Sequence, residues 1–147
     1  MQFHSRKIII DTGFLVALFN KRDEHHIQAK EVSREIDHLE WNSTPFVIQE
    51  IFWLLSKRES FSTAVSFLQK VKSFLTIPNL TQIWPERLSS ILGQFASAKI
   101  DLADASLIML ADHLKTGQIV SVDRKDFSIL RWNSGCSAFI NWMDVLR

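Results

Sequence analysis

The hydrophobic positions near the amino terminus predict a short buried strand that is followed directly by a helix. Ile8, Ile9 and Ile10 form an uninterrupted apolar run, which is typical of a strand buried on both faces. After Asp11, a second apolar run continues at helical spacing to Phe19. Asp11 therefore stands at the carboxyl end of a strand, which is the edge where open α/β sheets bind their ligands.

The spacing of apolar residues predicts four further helices before residue 100. We expect the first of these four helices, which begins near Asp23, to reach about Leu39 and to bury Ile27. The third, which begins near Ser60 or Ser62, is expected to bury Phe61 and Leu68. Their predicted starts are the cap Asp23, the cap Thr44 with Pro45 in the first turn, Ser60 or Ser62, and Pro85. These helices are expected to cover a sheet or each other.

The second of these helices carries a single charge in an apolar surrounding. From Phe46 to Leu55 the sequence is apolar nearly all round, and Glu50 is the only charged residue. Such a helix is expected to be buried, so that Glu50 needs a partner, a shifted pKa or a metal ion. The alternatives are an ion pair with an Arg or Lys from elsewhere, or a narrow polar stripe shared with Gln49.

A helix and a strand between residues 99 and 127 bring two more acids towards the same edge. Asp101 is the predicted cap of a helix that carries Asp104 one turn in, and residues 118–122 form a buried strand that ends at Asp123. The helix descends roughly 18 Å from Asp104 to Thr116. The strand climbs back by roughly 13 Å. The start of the helix and the end of the strand therefore lie near one edge of the sheet.

The composition sets limits on the class of protein. The 147 residues predict one domain over positions 1–147. The single cysteine, Cys136, excludes an internal disulfide framework and a cysteine metal site, and it fits a reducing cytoplasm. No apolar run reaches membrane-spanning length, because Asp11 and Glu50 interrupt the two best candidates. We expect a cytoplasmic protein with no signal peptide and no membrane association.

The net charge and residues 128–147 say less about the function than the four acids do. The net charge of +1 gives no bulk electrostatic case for binding nucleic acid, so that any such case must come from a local site. Residues 128–147 contain a turn at 133–135 and a mixed apolar end. This end is expected to form an edge strand or a dimer surface.

Four acids, Asp11, Glu50, Asp104 and Asp123, are thus predicted to meet above the carboxyl edge of a parallel sheet. Each has a structural explanation of its own, since Asp11 can be a cap, Asp104 a first-turn helix acid and Asp123 a turn residue. Their convergence favours a functional site, because clustered carboxylates repel one another unless a cation is present.

The chemistry of this cluster is that of a hard divalent cation. Oxygen ligands without His or Cys suit Mg²⁺ or Mn²⁺. Ions held in this way activate water and neutralise the charge that develops on a phosphodiester, which predicts a metal-dependent nuclease. Asp11 and Asp123, on strand ends, are the best ligands, and Asp104 and Glu50 would complete the metal sphere or orient water.

Two neighbouring residues are candidate supports for the acids. Ser121, two residues before Asp123, can bond to a carboxylate or to a substrate phosphate, or it can be a small polar residue of the strand. Arg124, beside the site, can meet the phosphates of the scissile strand, or it can be a solvated turn residue.

The order and spacing of these motifs resemble the PIN-domain proteins, close to the VapC-type toxins. The resemblance runs from Lys7 to Phe127 and is carried by Ile9-Ile10-Asp11-Thr12-Gly13, Asp23-Glu24-His25-His26, Glu50, Leu102-Ala103-Asp104-Ala105-Ser106 and Ser121-Val122-Asp123-Arg124-Lys125-Asp126-Phe127. It implies a three-layer α/β fold with a central, mainly parallel sheet flanked by helices. It also implies endoribonuclease activity with Mg²⁺ or Mn²⁺, homodimers and a cognate antitoxin that blocks the site.

Matched residue by residue, the resemblance assigns the acidic quartet to Asp11, Glu50, Asp104 and Asp123, with Ser121 as the associated hydroxyl. Asp101 and Asp126 fall off the motif positions and are expected to be cap and turn residues. Gly13 is a departure, because many relatives carry a second small hydroxyl residue after the first Asp.

Three rival functions remain beside the nuclease. A haloacid-dehalogenase-like phosphatase needs a second Asp two residues after the first, where this chain has Gly13. A phosphoacceptor receiver domain of the response-regulator type wants paired acids after the first strand and a Lys after the last core strand, and neither is evident. A catalytically inactive PIN-like binding module is the third alternative, and the intact acidic quartet argues against it.

Overall fold

The computed structural model describes residues 5–80 and 84–145. The elements along the chain are β1 (Lys7–Ile10), α1 (Thr12–Phe19), α2 (His26–Glu35), β2 (Glu40–Asn42), α3 (Pro45–Arg58), α4 (Phe61–Lys70), α5 (Trp84–Gln94), α6 (Leu102–Leu114), β3 (Gln118–Val120), α7 (Arg124–Ile129), β4 (Arg131–Trp132), β5 (Ser137–Ala138), β6 (Ile140–Asn141) and α8 (Trp142–Val145). Single 3₁₀ turns lie at Val71–Ser73 and Ala96–Ala98.

A four-stranded parallel sheet forms the centre of the fold, with the strand order β2-β1-β3-β6. Ile9 of β1 pairs with Asn42 on one side and with Ile119 on the other. The three isoleucines of β1 are fully buried, because the strand is central in the sheet and helices pack against it. The α/β fold with a central parallel sheet flanked by helices is therefore confirmed.

The outer strand β2 was not predicted from the sequence. It has only three residues, Glu40, Trp41 and Asn42, and they carry no run of β-branched residues. Thr76 lies alongside the end of β2 and bonds to its backbone, because Thr76 N donates to Trp41 O at 2.8 Å and Ser43 N donates to Thr76 O at 3.1 Å. Tertiary pairing, which no local pattern reveals, creates this strand.

Helix α2 begins later and ends earlier than predicted. The Asp23 carboxylate accepts from His25 N at 2.8 Å, so Asp23 caps a turn and the helix starts three residues further on. Ile27 is 73% exposed, and the buried positions of the helix are Ala29 and Val32. The expected burial of Ile27 is therefore wrong.

The helical pair α3–α4 is less buried than its sequence indicated. Thr44 caps α3 with Pro45 in the first turn, as predicted, but the fully buried residues form one stripe, Val47, Ile51 and Leu55. In α4, capped by Ser60, the buried residues are Ala64 and Phe67, while the predicted core residues Phe61 and Leu68 are exposed. The helices share an apolar seam, and their outer faces stay open.

The carboxy-terminal part contains the predicted edge strand. Strand β6 pairs in parallel with β3, with Ile119 opposite Asn141. The turn at 133–135 joins the small hairpin β4–β5, and all three of its residues have positive φ. Helix α7 was missed, because its six residues are too few for a periodic pattern.

Within residues 5–80 and 84–145, no helix has the length and hydrophobicity to cross a membrane.

Candidate functional site

An open cleft of about 450 Å³ lies at the carboxyl ends of β1 and β3. All four acids of the predicted quartet line this cleft, which we call the acidic cleft; they are Asp11, Glu50, Asp104 and Asp123. The side chains reach it from the end of β1, from the second turn of α3, from the first turn of α6 and from the loop after β3. The structure therefore brings together residues that are more than one hundred positions apart.

Asp11 is the most buried acid of the cleft. Its Oδ1 accepts from Thr12 N at 2.7 Å, which caps α1, and its Oδ2 accepts from Ser121 Oγ at 2.7 Å. The pKa of Asp11 is raised to about 6, mainly by burial; the hydrogen bonds from Ser121 and Thr12 lower it, and the charges of Glu50 and Asp123 raise it by less than burial does. Both carboxylate oxygens are thus held in place.

Ser121 links two acids of the cleft. Its hydroxyl donates to Asp11 and accepts from Asp123 N at 3.0 Å, and the residue is fully buried. Of the alternatives open from the sequence, the structure places Ser121 on a carboxylate. The Asp123 side chain also accepts from Asp126 N at 3.2 Å and so caps α7.

Glu50 has a hydroxyl partner in the described part of the chain. Thr12 Oγ1 donates to Glu50 Oε2 at 3.2 Å. Burial, followed by the charge of Asp101, raises the pKa of Glu50, and the Thr12 hydrogen bond lowers it. In the part of the chain that the structure describes, no Arg or Lys forms an ion pair with Glu50. The ion-pair alternative is therefore wrong for these residues.

Asp104 enters the cleft from the first turn of α6. Asp101 Oδ1 accepts from Asp104 N at 2.8 Å, as expected of a cap. Burial raises the pKa of Asp104 to about 8, with smaller contributions from the charges of Asp101 and Asp11. A hydroxyl pair, Thr44 Oγ1 and Ser106 Oγ at 2.7 Å, fixes α6 against the start of α3.

Gly13 allows α1 to pack closely against the loop after β3. A Cβ added at Gly13 would overlap Cγ2 of Val122, which lies between Ser121 and Asp123. A side chain that carries a hydroxyl at this position would have no room here. Thr12, one residue earlier, supplies a hydroxyl to Glu50 instead.

Of three basic residues near the acids, Arg124 bonds to other residues, and Arg58 and Lys99 line the cleft. Arg124, expected near substrate phosphates, is not among the lining residues, because its guanidinium bonds Asp144 Oδ1 and Met143 O, each at 3.2 Å. Arg58 and Lys99 do line the cleft. Neither forms an ion pair with any residue that the structure describes.

The sequence reasoning missed several residues of the site. The sequence predicted no role for Thr12, although its place beside Asp11 was a usable signal. Asp101, treated only as a cap, also lines the cleft. Asn141 left no signal, because its partner is the backbone of Ser121, just after the neighbouring strand β3.

The donor set fits a hard divalent cation in chemistry. The candidate ligands are carboxylates, and three of them, Asp11, Glu50 and Asp104, have raised pKa values. No Arg or Lys of the described ranges forms an ion pair with these three. Within residues 5–80 and 84–145, however, no three Asp, Glu, His or Cys side chains are arranged so as to hold a metal ion. The chemistry of a metal site is present without its ligating geometry.

Comparison with known proteins identifies relatives over most of the chain. The PIN-domain family model matches residues 8–132. Ribonuclease VapC26 of Mycobacterium tuberculosis is 28% identical over 126 residues, covering 84% of this chain and 92% of that protein.

Two crystal structures have a similar fold. VapC20 of M. tuberculosis, a sarcin-ricin loop cleaving toxin, has a TM-score of 0.72 at 19% identity, covering 80% of this chain and 91% of that one. VapBC2 from Rickettsia felis, bound to a DNA fragment from its promoter, has a TM-score of 0.65 at 16% identity, covering 92% and 98%. The chain therefore belongs to the PIN-domain family, as its motifs indicated.

Proposed function

We propose that this protein is a VapC-type endoribonuclease that hydrolyses RNA phosphodiester bonds with Mg²⁺ or Mn²⁺. The observation that carries the proposal is the convergence of Asp11, Glu50, Asp104 and Asp123 on one cleft. PIN-domain ribonucleases generally use divalent metal ions, and a relative over most of the chain is a ribonuclease. Membership of this family leaves the phosphatase and receiver alternatives without support.

The residues of the cleft have separate tasks in this mechanism. Asp11 and Asp123 would hold the ion, and Asp104 and Glu50 would complete its sphere or orient the attacking water. A bound divalent ion supplies an activated water and neutralises charge on the phosphodiester. Thr12 N and Ser121 Oγ fix both oxygens of Asp11, so that this carboxylate is pre-oriented before substrate arrives.

Arg58 and Lys99 are our candidates for holding the RNA backbone. An acidic cleft repels a polyanion, so that cations at its edge are needed where flanking phosphates pass. These two residues line the cleft and have no competing ion pair within the described ranges. We assign the contact with phosphates to them and not to Arg124, because the Arg124 side chain bonds to Asp144 and Met143 O in α8.

The proposal extends to partners and setting. A cognate antitoxin is supported by the VapBC2 complex among structures of this fold, and a homodimer by the exposed apolar side chains Trp53, Phe61 and Leu68 on α3 and α4. We place the whole chain, 1–147, in one domain that acts in the cytoplasm, as the single cysteine suggests.

A nuclease assay with matched variants tests the activity. Purified wild-type protein should cut RNA with Mn²⁺ or Mg²⁺ and should stop when the ion is chelated. Asp11→Asn and Asp104→Asn should lose at least about a hundredfold in rate, the size of effect expected when charge stabilisation of the transition state is removed. Asp37→Asn, at an exposed acid outside the cleft, is the control and should keep wild-type activity. Undiminished cleavage by both cleft variants contradicts the proposal.

The inactive binding module stays a second candidate, because the described acids do not form a ready-made ligating geometry. Binding of RNA by the wild type without cleavage under any divalent ion would favour it over the nuclease.

A further inference from the structure

We propose that Asn141 is a positioning residue for the acidic cleft, since its side-chain amide holds the backbone of Ser121 in the place from which Ser121 bonds Asp11 and Asp123. This inference rests on the proposed metal-dependent function and deepens it. The cleft is thereby made dependent on the carboxy-terminal strand, which contributes no acid to it.

Asn141 is needed because the pairing of β3 with β6 ends before Ser121. Strand β6 pairs with β3 only through Gln118 opposite Ile140 and Ile119 opposite Asn141. The next residue, Trp142, begins a helix. Ser121 lies beyond this last pair and is fully buried, so its backbone N–H and C=O need other hydrogen-bond partners.

The amide of Asn141 supplies both partners. Ser121 N donates to Asn141 Oδ1 at 3.1 Å, and Asn141 Nδ2 donates to Ser121 O at 2.9 Å. The same Oδ1 accepts from Met143 N at 3.1 Å. The side chain thus imitates the backbone of one more strand residue and turns the chain into α8. Asn141 is only 8% exposed, so water cannot easily replace these bonds.

The hydroxyl of Ser121 transmits this position to the acids. With the backbone held by Asn141, Ser121 Oγ donates to Asp11 Oδ2 at 2.7 Å and accepts from Asp123 N at 3.0 Å. The hydrogen bonds of the Asn141 side chain go to the backbone of Ser121 and of Met143, not to either acid. Outer partners of this kind orient metal ligands, and removing one typically costs 10–100-fold in metal affinity or activity.

A matched residue on the opposite edge separates positioning from stability. Asn42 ends β2 as Asn141 ends β6, and it is also buried, but among the described residues its side chain donates to Glu40 O alone, at 3.1 Å. Asn42→Ala should destabilise the protein without affecting the cleft. Asn141→Asp keeps the shape and the acceptor but sets a carboxylate oxygen against Ser121 O.

The decisive experiment is a calorimetric titration of the full chain with Mn²⁺, accompanied by RNA cleavage kinetics. Asn141→Asp should raise the Mn²⁺ dissociation constant about 10–100-fold and lower kcat, with the KM for RNA near that of the wild type. In a Ser121→Ala background the same change should add nothing, because its route to the acids is gone. Asn141→Ala provides the second variant if Asn141→Asp does not fold.

Two results would overturn the assignment. One is a wild-type Mn²⁺ dissociation constant in a folded Asn141 variant, and the other is an equal shift in Asn42→Ala. A wild-type protein that binds Mn²⁺ but cuts no RNA refutes the nuclease and leaves the titration to decide the role of Asn141. A wild-type protein that binds no Mn²⁺ overturns both.

Discussion

Burial sets the ionisation of the acids in the cleft. Burial raises the pKa of Asp11 to about 6 and that of Asp104 to about 8, from an ordinary value of 3.8. A carboxyl whose pKa is higher in the folded chain binds more protons there than in the unfolded chain, so the free energy of unfolding falls as pH rises between the two values. The metal-free protein should therefore lose stability from about pH 4 to pH 8.

Asp104→Asn should stabilise the metal-free protein, and more so at pH 8 than at pH 5. The reason is that the amide removes a charge that burial disfavours most and that the charges of Asp101 and Asp11 disfavour as well. Thermal unfolding of the chelator-treated protein at the two pH values measures the effect, and Asp37→Asn serves as the control. A lower Tm at pH 8 for Asp104→Asn than for the wild type would mean that the acids do not repel one another.

Individual residues of the site were predictable where position along the chain fixed position in space. Asp11 ends a strand and Asp104 follows a cap, and these two local signatures sufficed to place them at one edge. Arg124 was misplaced, because a cation next to an acid in sequence can turn away, and here Asp144 and Met143 O bind it. Asn141 acts through a backbone contact, which composition and spacing do not encode.

At the scale of elements, α1 packs closely against the loop after β3 at Gly13. Gly13→Ala should cost about 1–3 kcal/mol, as overpacking does, because the new methyl group overlaps Val122. The φ of Gly13 is not in the left-handed region, so the backbone itself accepts alanine. Denaturant unfolding measures the loss.

Two further variants make this test specific. Val122→Ala should restore much of the stability lost in Gly13→Ala, since it removes the overlapping methyl groups. Gly93→Ala, in α5, has open space around the new Cβ and should stabilise by about 0.5–1 kcal/mol through helix propensity. If the effects of Gly13→Ala and Val122→Ala simply add, the two sites are not in the contact we describe.

The long periodic helices and the apolar strands β1 and β3 were predictable, whereas β2 and α7 were not. The α1, α3 and α6 patterns each run for at least eight residues, and their caps at Asp11, Thr44 and Asp101 agree with the structure. The strand β2 and the helix α7 are three and six residues long, and tertiary pairing or one cap decides them. The exposed face of α4 shows a further limit, because helical spacing does not say whether an apolar face will find a partner.

For the whole molecule, the net charge of +1 hides a local arrangement of opposite charges. Arg58→Ala and Lys99→Ala, made in the inactive Asp11→Asn background, should each weaken binding of single-stranded RNA and reduce the slope of log affinity against log salt by about 0.7. Lys72→Ala, at an exposed lysine outside the cleft, should leave the slope unchanged. Unchanged slopes in the first two variants would remove them from the RNA path.

We propose that the four acids of the cleft together hold a divalent cation. Calorimetric titration of the metal-free wild type with Mn²⁺ tests it most directly, with Asp11→Asn and Asp37→Asn titrated under the same conditions. We predict saturable binding by the wild type and by Asp37→Asn, and its loss in Asp11→Asn, where a ligand oxygen is replaced by an amide nitrogen. Absence of binding in the wild type, or equal binding by Asp11→Asn, would contradict the account.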